Sequence, residues 1–221
     1  MKFDEWEPIY SRVIADFGFS RSEDERSASI LVGLLSGKDL CDEQCISVQM
    51  GEEVTVCGDA ATLEDQLTSF GLSGTVISAD GATKALMDAG IRPDIIVTDL
   101  DGDIDAQVEA VDDGALVMIH AHGDNIEALR SYVPRFKGRI MATTQSKPVG
   151  SLHNFGGFTD GDRGVLLSRH FGVKRIRLLG FDFMEPRQKE GRERAIKIKK
   201  LEWARTLIFD LNPPGVCLSI P

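Results

Sequence analysis

Hydrophobic positions follow two different periods along the chain. Over the first fifty residues, Trp6, Ile9, Tyr10, Val13, Ile14 and Phe17 recur every three or four positions, the spacing of one helical face. Ser22 followed by Glu25 reads as a capping box that opens a second helix, which carries Ala28, Ile30, Leu31, Leu34 and Leu35 and ends around Ser36 and Gly37. From Glu53 onward, short apolar runs alternate with amphipathic stretches. The runs Val54–Cys57, Thr75–Ala79, Asp94–Thr98, Ala115–Ile119, Arg139–Ala142 and Arg175–Leu179 predict strands. Helices are predicted over Leu63–Phe70, Thr83–Ala89, Ile104–Val111, Asn125–Val133 and Gly164–Phe171. A last helix, Arg192–Leu211, is basic on one side and is stopped by Pro213 and Pro214. Strands that alternate with helices build βαβ units. The expected fold is therefore α/β, a doubly wound, mostly parallel Rossmann-like sheet with an N-terminal helical extension. Residues 1–50 form the helical segment and residues 51–221 the α/β domain.

Composition narrows the partners. With 221 residues, 42% of them hydrophobic, the chain can bury a full core. A formal charge of −10 argues against nucleic-acid and anionic-membrane surfaces, but not against a nucleotide carried with a metal ion. No run is long and apolar enough to cross a bilayer, and MKFDEWEPIY lacks the basic and then apolar regions of a signal peptide, so a cytoplasmic protein is expected. Cys41, Cys45, Cys57 and Cys217 are expected to be reduced structural thiols. The oligomeric state stays open, a homodimer included.

Candidate chemistry collects where strands end. Asp80 follows one predicted strand, and PDIIVTDLDGDID supplies Asp94, Asp99, Asp101, Asp103 and Asp105 around the next. An extended chain through TDLDGD would point Asp99, Asp101 and Asp103 to one side, where they would repel one another unless a hard cation such as Mg²⁺ joined them. The alternative is a turn with Asx hydrogen bonds. Ligands gather beyond the carboxyl ends of parallel strands, and the later ends are polar too: HAHGDN, ATTQ and GFDF. His120 and His122 make a weak zinc pair, so one of them is expected on a phosphate or substrate oxygen while Asp124 or Asn125 caps the next helix. In HNFGGFTDGDR the glycines permit close backbone approach to a ligand, and Asp160, Asp162 and Arg163 are chemically useful. Asp182 reads as a turn cap or a ligand. Lys197, Lys199 and Lys200 read as a solvated helix face from which one lysine reaches phosphates. GxGxxG and GxxxxGK[ST] signatures are both absent.

The pair ADGAT (Ala79–Thr83) and PDIIVTDLDGD (Pro93–Asp103) resembles the metal and nucleotide site of the thiamin pyrophosphokinase superfamily, whose motifs read roughly ADGGAN and PDxIxGDFDS. With HAHGDN, NFGGFTDGDR and GFDF added in order, the chain resembles the archaeal 6-hydroxymethyl-7,8-dihydropterin pyrophosphokinases, the MptE-like proteins of the domain-of-unknown-function 115 group. The resemblance implies transfer of diphosphate from ATP to the hydroxymethyl group of the reduced pterin, releasing AMP, on a route to folate or methanopterin. Asp80, Asp99 and Asp101 match the family's metal-associated acids, and Asp103 stands where the kinase pattern has serine. Mg²⁺ is thus expected on Asp80, Asp99, Asp101 and Asp103, with Asp101, His122 and Arg163 in the chemistry. Asp80, Gly81, Thr83, His120, Asp124, Asn125, Asp160, Asp162, Asp182 and Lys197 are expected around ATP. Two other readings compete: a haloacid-dehalogenase-like phosphatase with Asp99 as nucleophile and Asp101 as acid/base, and a non-catalytic nucleotide-binding module.

Overall fold

A computed structural model describes residues 1–184 and 194–221. Its strands are β1 (Glu53–Cys57), β2 (Thr75–Ala79), β3 (Ile95–Thr98), β4 (Leu116–Ala121), β5 (Ile140–Thr144), β6 (Arg175–Leu179) and β7 (Cys217–Ser219). They form one sheet in the order β5-β4-β3-β2-β1-β6-β7, and every pairing among the described residues is parallel. Parallel strands are covered on both faces, which is why β2, β3 and β4 are apolar-rich runs buried at each position rather than alternating ones. Ile96 joins a core layer with Ala28, Leu31, Ala110 and Leu129, whereas its neighbours Ile95 and Val97 pack with Ile46, Val165 and Leu167. The first layer is built by α2 (Arg21–Leu34), α6 (Ile104–Asp112) and α7 (Ile126–Tyr132), and the second by α3 (Glu43–Gln49) and α8 (Asp160–His170). The doubly wound expectation holds.

Winding decides what meets what. The chain steps outward from β1 to β5 and then returns to place β6 beside β1. Helix α8 makes that return and lies across β1, β2 and β3, so its first turn arrives near the carboxyl ends of β2 and β3. Helix α1 (Phe3–Phe17) packs Trp6, Tyr10 and Val13 against Phe158, Leu166 and Leu207. Helices α4 (Leu63–Phe70) and α5 (Ala82–Asp88) match their predicted spans closely.

Four local expectations change. Ser20, not Ser22, stands at the cap of α2, and the two hydroxyls bond each other at 2.8 Å. Helix α8 starts four residues before the predicted Gly164, because Thr159 and Asp162 form a capping box that turns DGDR from loop into first helical turn. The last helix, α9, spans Arg194–Arg205 and runs on through a π turn over Thr206–Asp210; Arg192 lies outside the described residues. Cys41 and Cys45 are joined in a disulfide rather than reduced, their Cα atoms 5.6 Å apart across the start of α3.

Candidate active site

At the end of β2, Asp80 adopts a left-handed backbone (φ 44°) while its amide donates to the Val97 carbonyl at 2.8 Å. Its carboxylate is thereby turned across the end of β3. Asp80 Oδ1 accepts from Thr98 Oγ1 at 2.7 Å, from Gln107 Nε2 at 3.0 Å and from the Gly102 amide at 3.1 Å. The chain does not continue extended through TDLDGD. Leu100 is also left-handed (φ 68°), with its side chain buried in the α2/α6 layer, so Asp99, Asp101 and Asp103 are sent to different places. Asp101 is exposed yet beside Asp80. Asp103 caps α6, its Oδ1 accepting from the Ala106 amide at 2.9 Å. The third member of the acidic group is instead Asp160, the first residue of α8. Asp80, Asp99 and Asp160 each bring a carboxylate oxygen to a common point, all within 4.8 Å of one another.

Like charges at that spacing should disturb each other. Burial first, and then the charges of Asp99 and Asp101, push the Asp80 carboxyl up to about 7. Burial and the Asp99 charge likewise push Asp160 well above the usual carboxylate range, against the pull of Arg163. Burial also pushes Asp99 upward, but the hydrogen bond from His122 and the Arg163 charge outweigh it and leave Asp99 below its ordinary value. Arg163, 4% exposed, donates from Nη1 to Asp160 Oδ1 at 3.0 Å, and both its Nε and Asp99 Oδ1 are buried without a hydrogen-bond partner. A hard divalent cation fits this donor set: three converging carboxylate oxygens, one of them from a residue with an unsatisfied atom.

The β4 end supports the acids. His122 Nε2 lies 3.2 Å from Asp99 Oδ2, and its Nδ1 accepts from the Asp124 amide at 3.4 Å, which fixes Nε2–H as the donor towards Asp99. Asn125 is expended on structure: Nδ2 donates to the carbonyls of Asp99 (2.9 Å) and His120 (2.7 Å), and Oδ1 accepts from Ser27 Oγ and the His122 amide. His120 is buried, with Nδ1 3.0 Å from Thr143 Oγ1 and Nε2 unpartnered. Burial, and then the Arg163 charge, keep it neutral.

Several expected nucleotide contacts have other work. Both oxygens of Asp162 are taken by the Phe158 amide, the Thr159 amide and the Thr159 hydroxyl, within 2.6 to 2.9 Å. Thr83 is buried against Ser78, hydroxyl to hydroxyl at 2.9 Å. Asp182 Oδ1 accepts from the Met184 amide at 2.8 Å, as a turn cap does. Gly81 caps α5 with the Asp59 carboxylate pressed against it, where a Cβ would stand 2.5 Å from Asp59 Oδ2. Asp94, at the opposite end of β3, accepts from the Val76 amide, and Asp105, in the first turn of α6, pairs with Arg135.

A cavity of about 280 Å³ opens beside the acids, lined by Phe19, Asp99, His122, Phe158, Arg163 and Lys200 among others, including Asp124. Lys200 is the α9 lysine on this wall; Lys197 is not among the lining residues. A larger cavity of about 510 Å³, around Arg92 and Arg139, sits at the amino ends of the strands, away from this chemistry. Helix α2 reaches the active site through Asp24. Its Oδ1 accepts from the Gly123 amide at 2.7 Å, and its Oδ2 from Tyr10 (2.6 Å) and Gln145 Nε2 (2.9 Å). Sequence reasoning missed Asp24, Thr98 and Gln107. For Asp24 and Gln107 the available signal was an acid or amide on an otherwise apolar helical face, and for Thr98 a hydroxyl ending an apolar strand.

Residues 37–188 match the family described as 6-hydroxymethylpterin diphosphokinase MptE-like. Three curated relatives share the name 6-hydroxymethyl-7,8-dihydropterin pyrophosphokinase. That of Methanothermobacter thermautotrophicus is 44% identical, covering 97% of each chain. That of Pyrococcus furiosus is 40% identical over 97% of this chain and 96% of its own, and that of Methanocaldococcus jannaschii is 38% identical over 94% and 95%. Among solved structures, the MAf glycosyltransferase from Magnetospirillum magneticum AMB-1 superposes with a TM-score of 0.56 at 15% identity, covering 88% of this chain and 35% of that one, a likeness of fold alone. No described helix is long and apolar enough to cross a membrane.

Proposed function

Because the chain belongs to the MptE-like family of 6-hydroxymethylpterin diphosphokinases, we propose that it uses Mg²⁺-bound ATP to place a diphosphate on the hydroxymethyl group of 6-hydroxymethyl-7,8-dihydropterin. The observation that carries the mechanism is the convergence of Asp80, Asp99 and Asp160 beside Arg163. Membership sets aside the phosphatase reading, in which Asp99 would be a nucleophile.

Asp80, Asp99 and Asp160 would hold the cation, with Asp101 alongside. Mg²⁺ there supplies positive charge to the triphosphate oxygens. His122 orients Asp99 through Nε2–H, so its part is positioning rather than proton removal. Arg163, already held by Asp160, turns its guanidinium to the charge that builds on the transferred phosphates. Asp101, exposed beside Asp80, accepts the proton of the substrate hydroxyl. The substrate oxygen attacks the β-phosphorus, the bond from that phosphorus to the α,β-bridging oxygen breaks, and AMP leaves with that oxygen. No side-chain nucleophile is needed.

Incubation with Mg²⁺, ATP labelled at the β-phosphorus and the reduced pterin tests this reading. The expected products are AMP and a labelled pterin diphosphate. Label in ADP or free phosphate, with none on the pterin, overturns it.

A further inference from the structure

The cavity has one wall that phosphate chemistry leaves unexplained. Phe19, in the turn between α1 and α2, and Phe158, just before α8, set their rings 6.4 Å apart, and Phe17 backs both at 5.2 and 5.0 Å. The Lys200 ammonium lies 5.9 Å from the Phe19 ring and 5.7 Å from the Phe158 ring, which holds it over the aromatic pair. Glu23 and Asp124 also line the cavity. Glu23 touches Arg26 at 3.4 Å, but with side chains 49% and 61% exposed this contact holds it weakly. Exposure falls from Glu23 at 49% through Asp99 at 21% to Arg163 at 4%, so the cavity has a mouth, a middle and a floor. On that floor is the unpartnered Arg163 Nε.

An acidic mouth repels a triphosphate, and an aromatic wall does nothing for one. Together they suit a neutral, flat heterocycle with N–H donors along one edge. The amino-oxo pyrimidine edge of a pterin presents two adjacent N–H groups, which meet a carboxylate's two oxygens much as a guanidinium does. We propose that this cavity is the acceptor subsite. Phe19 and Phe158 lie against the ring, Glu23 and Asp124 read its N–H edge, and the hydroxymethyl arm points inward to Asp99. The assignment rests on the diphosphate-transfer reading, and its test separates the two.

The full chain is titrated with 6-hydroxymethyl-7,8-dihydropterin in the absence of nucleotide, and the KM values for pterin and ATP are measured in parallel. The variants are the double substitution Glu23→Gln/Asp124→Asn, which alters exposed side chains and should leave the fold intact by circular dichroism, and Phe19→Leu. Loss of charge-assisted hydrogen bonds should raise the pterin Kd by about tenfold or more, with the ATP KM unchanged. A wild-type pterin Kd in the double variant, or a raised ATP KM in place of it, overturns the subsite. If the wild type makes AMP while the variants bind pterin normally, the subsite falls and the transfer stands. If binding depends on these residues and no AMP forms, the transfer falls and the subsite stands. No pterin binding by the wild type overturns the subsite outright.

Discussion

One residue, Asp103, shows how a carboxylate in the right motif can serve the fold instead of the chemistry. It caps α6, so Asp103→Ala should cost about 1 kcal/mol in urea unfolding and leave most of the turnover. Asp99→Asn should do the reverse, lowering turnover by orders of magnitude while the fold survives. Comparable rates in the two variants would remove the distinction. Gly102 offers a second test, since a Cβ there would stand 2.6 Å from Asp80 Oδ2. Gly102→Ala should displace that carboxylate and lower kcat by about tenfold or more, and unchanged kcat would refute the role given to the Asp80 geometry. Asp80, Asp99 and Arg163 were legible in the sequence because they sit at strand ends or in a glycine-rich stretch. The split of Asp99, Asp101 and Asp103 was not, because it turns on Leu100 leaving the extended conformation to bury its side chain. Thr98 and Gln107 were hidden for a related reason: a polar side chain on an apolar face declares that it has a partner, not which one.

At the scale of elements, strands β1 to β6 were legible to within a residue or two because each is a short apolar run closed by polar residues. Helix α3 and strand β7 were missed, since seven and three residues are too few for a period to register. The start of α8 matters most. Moving it forward to Asp160 converts a supposed loop into the helical turn that carries both an acid and its counter-ion. Arg163 is buried, so Arg163→Ala should cost roughly 3 kcal/mol by leaving Asp160 without its cation, as well as turnover. Arg163→Lys should regain much of the stability and little of the rate, because an ammonium lacks the fork. Denaturant unfolding and kinetics on the same samples decide this, and an Arg163→Ala protein of wild-type stability would contradict it.

Across the whole molecule, the acid group couples stability to pH and metal. Asp80 is raised to about 7 in the fold and titrates near 3.8 when unfolded, so over that window the native state binds the additional proton. Its contribution is complete below about 3.8 and is lost as pH rises through about 7; Asp160 runs the same way and Asp99 the opposite. The melting temperature of the metal-free protein should therefore fall from about pH 5 to about pH 8, and Mg²⁺ should remove most of that fall. A flat metal-free profile would count against the acid group. Asp24 carries another consequence, one of timing. Its bond to Gln145 spans 121 positions and that to Gly123 spans 99, and α2 rests on β4 and β5. As the chain leaves the ribosome, the N-terminal helices come first yet have nowhere to dock until the fifth strand has emerged, and their apolar faces stay wet meanwhile. Phe19 on the wall of the acceptor cavity is synthesised long before Phe158 and Lys200, so partly made chains hold the acids' sequence without a closed site.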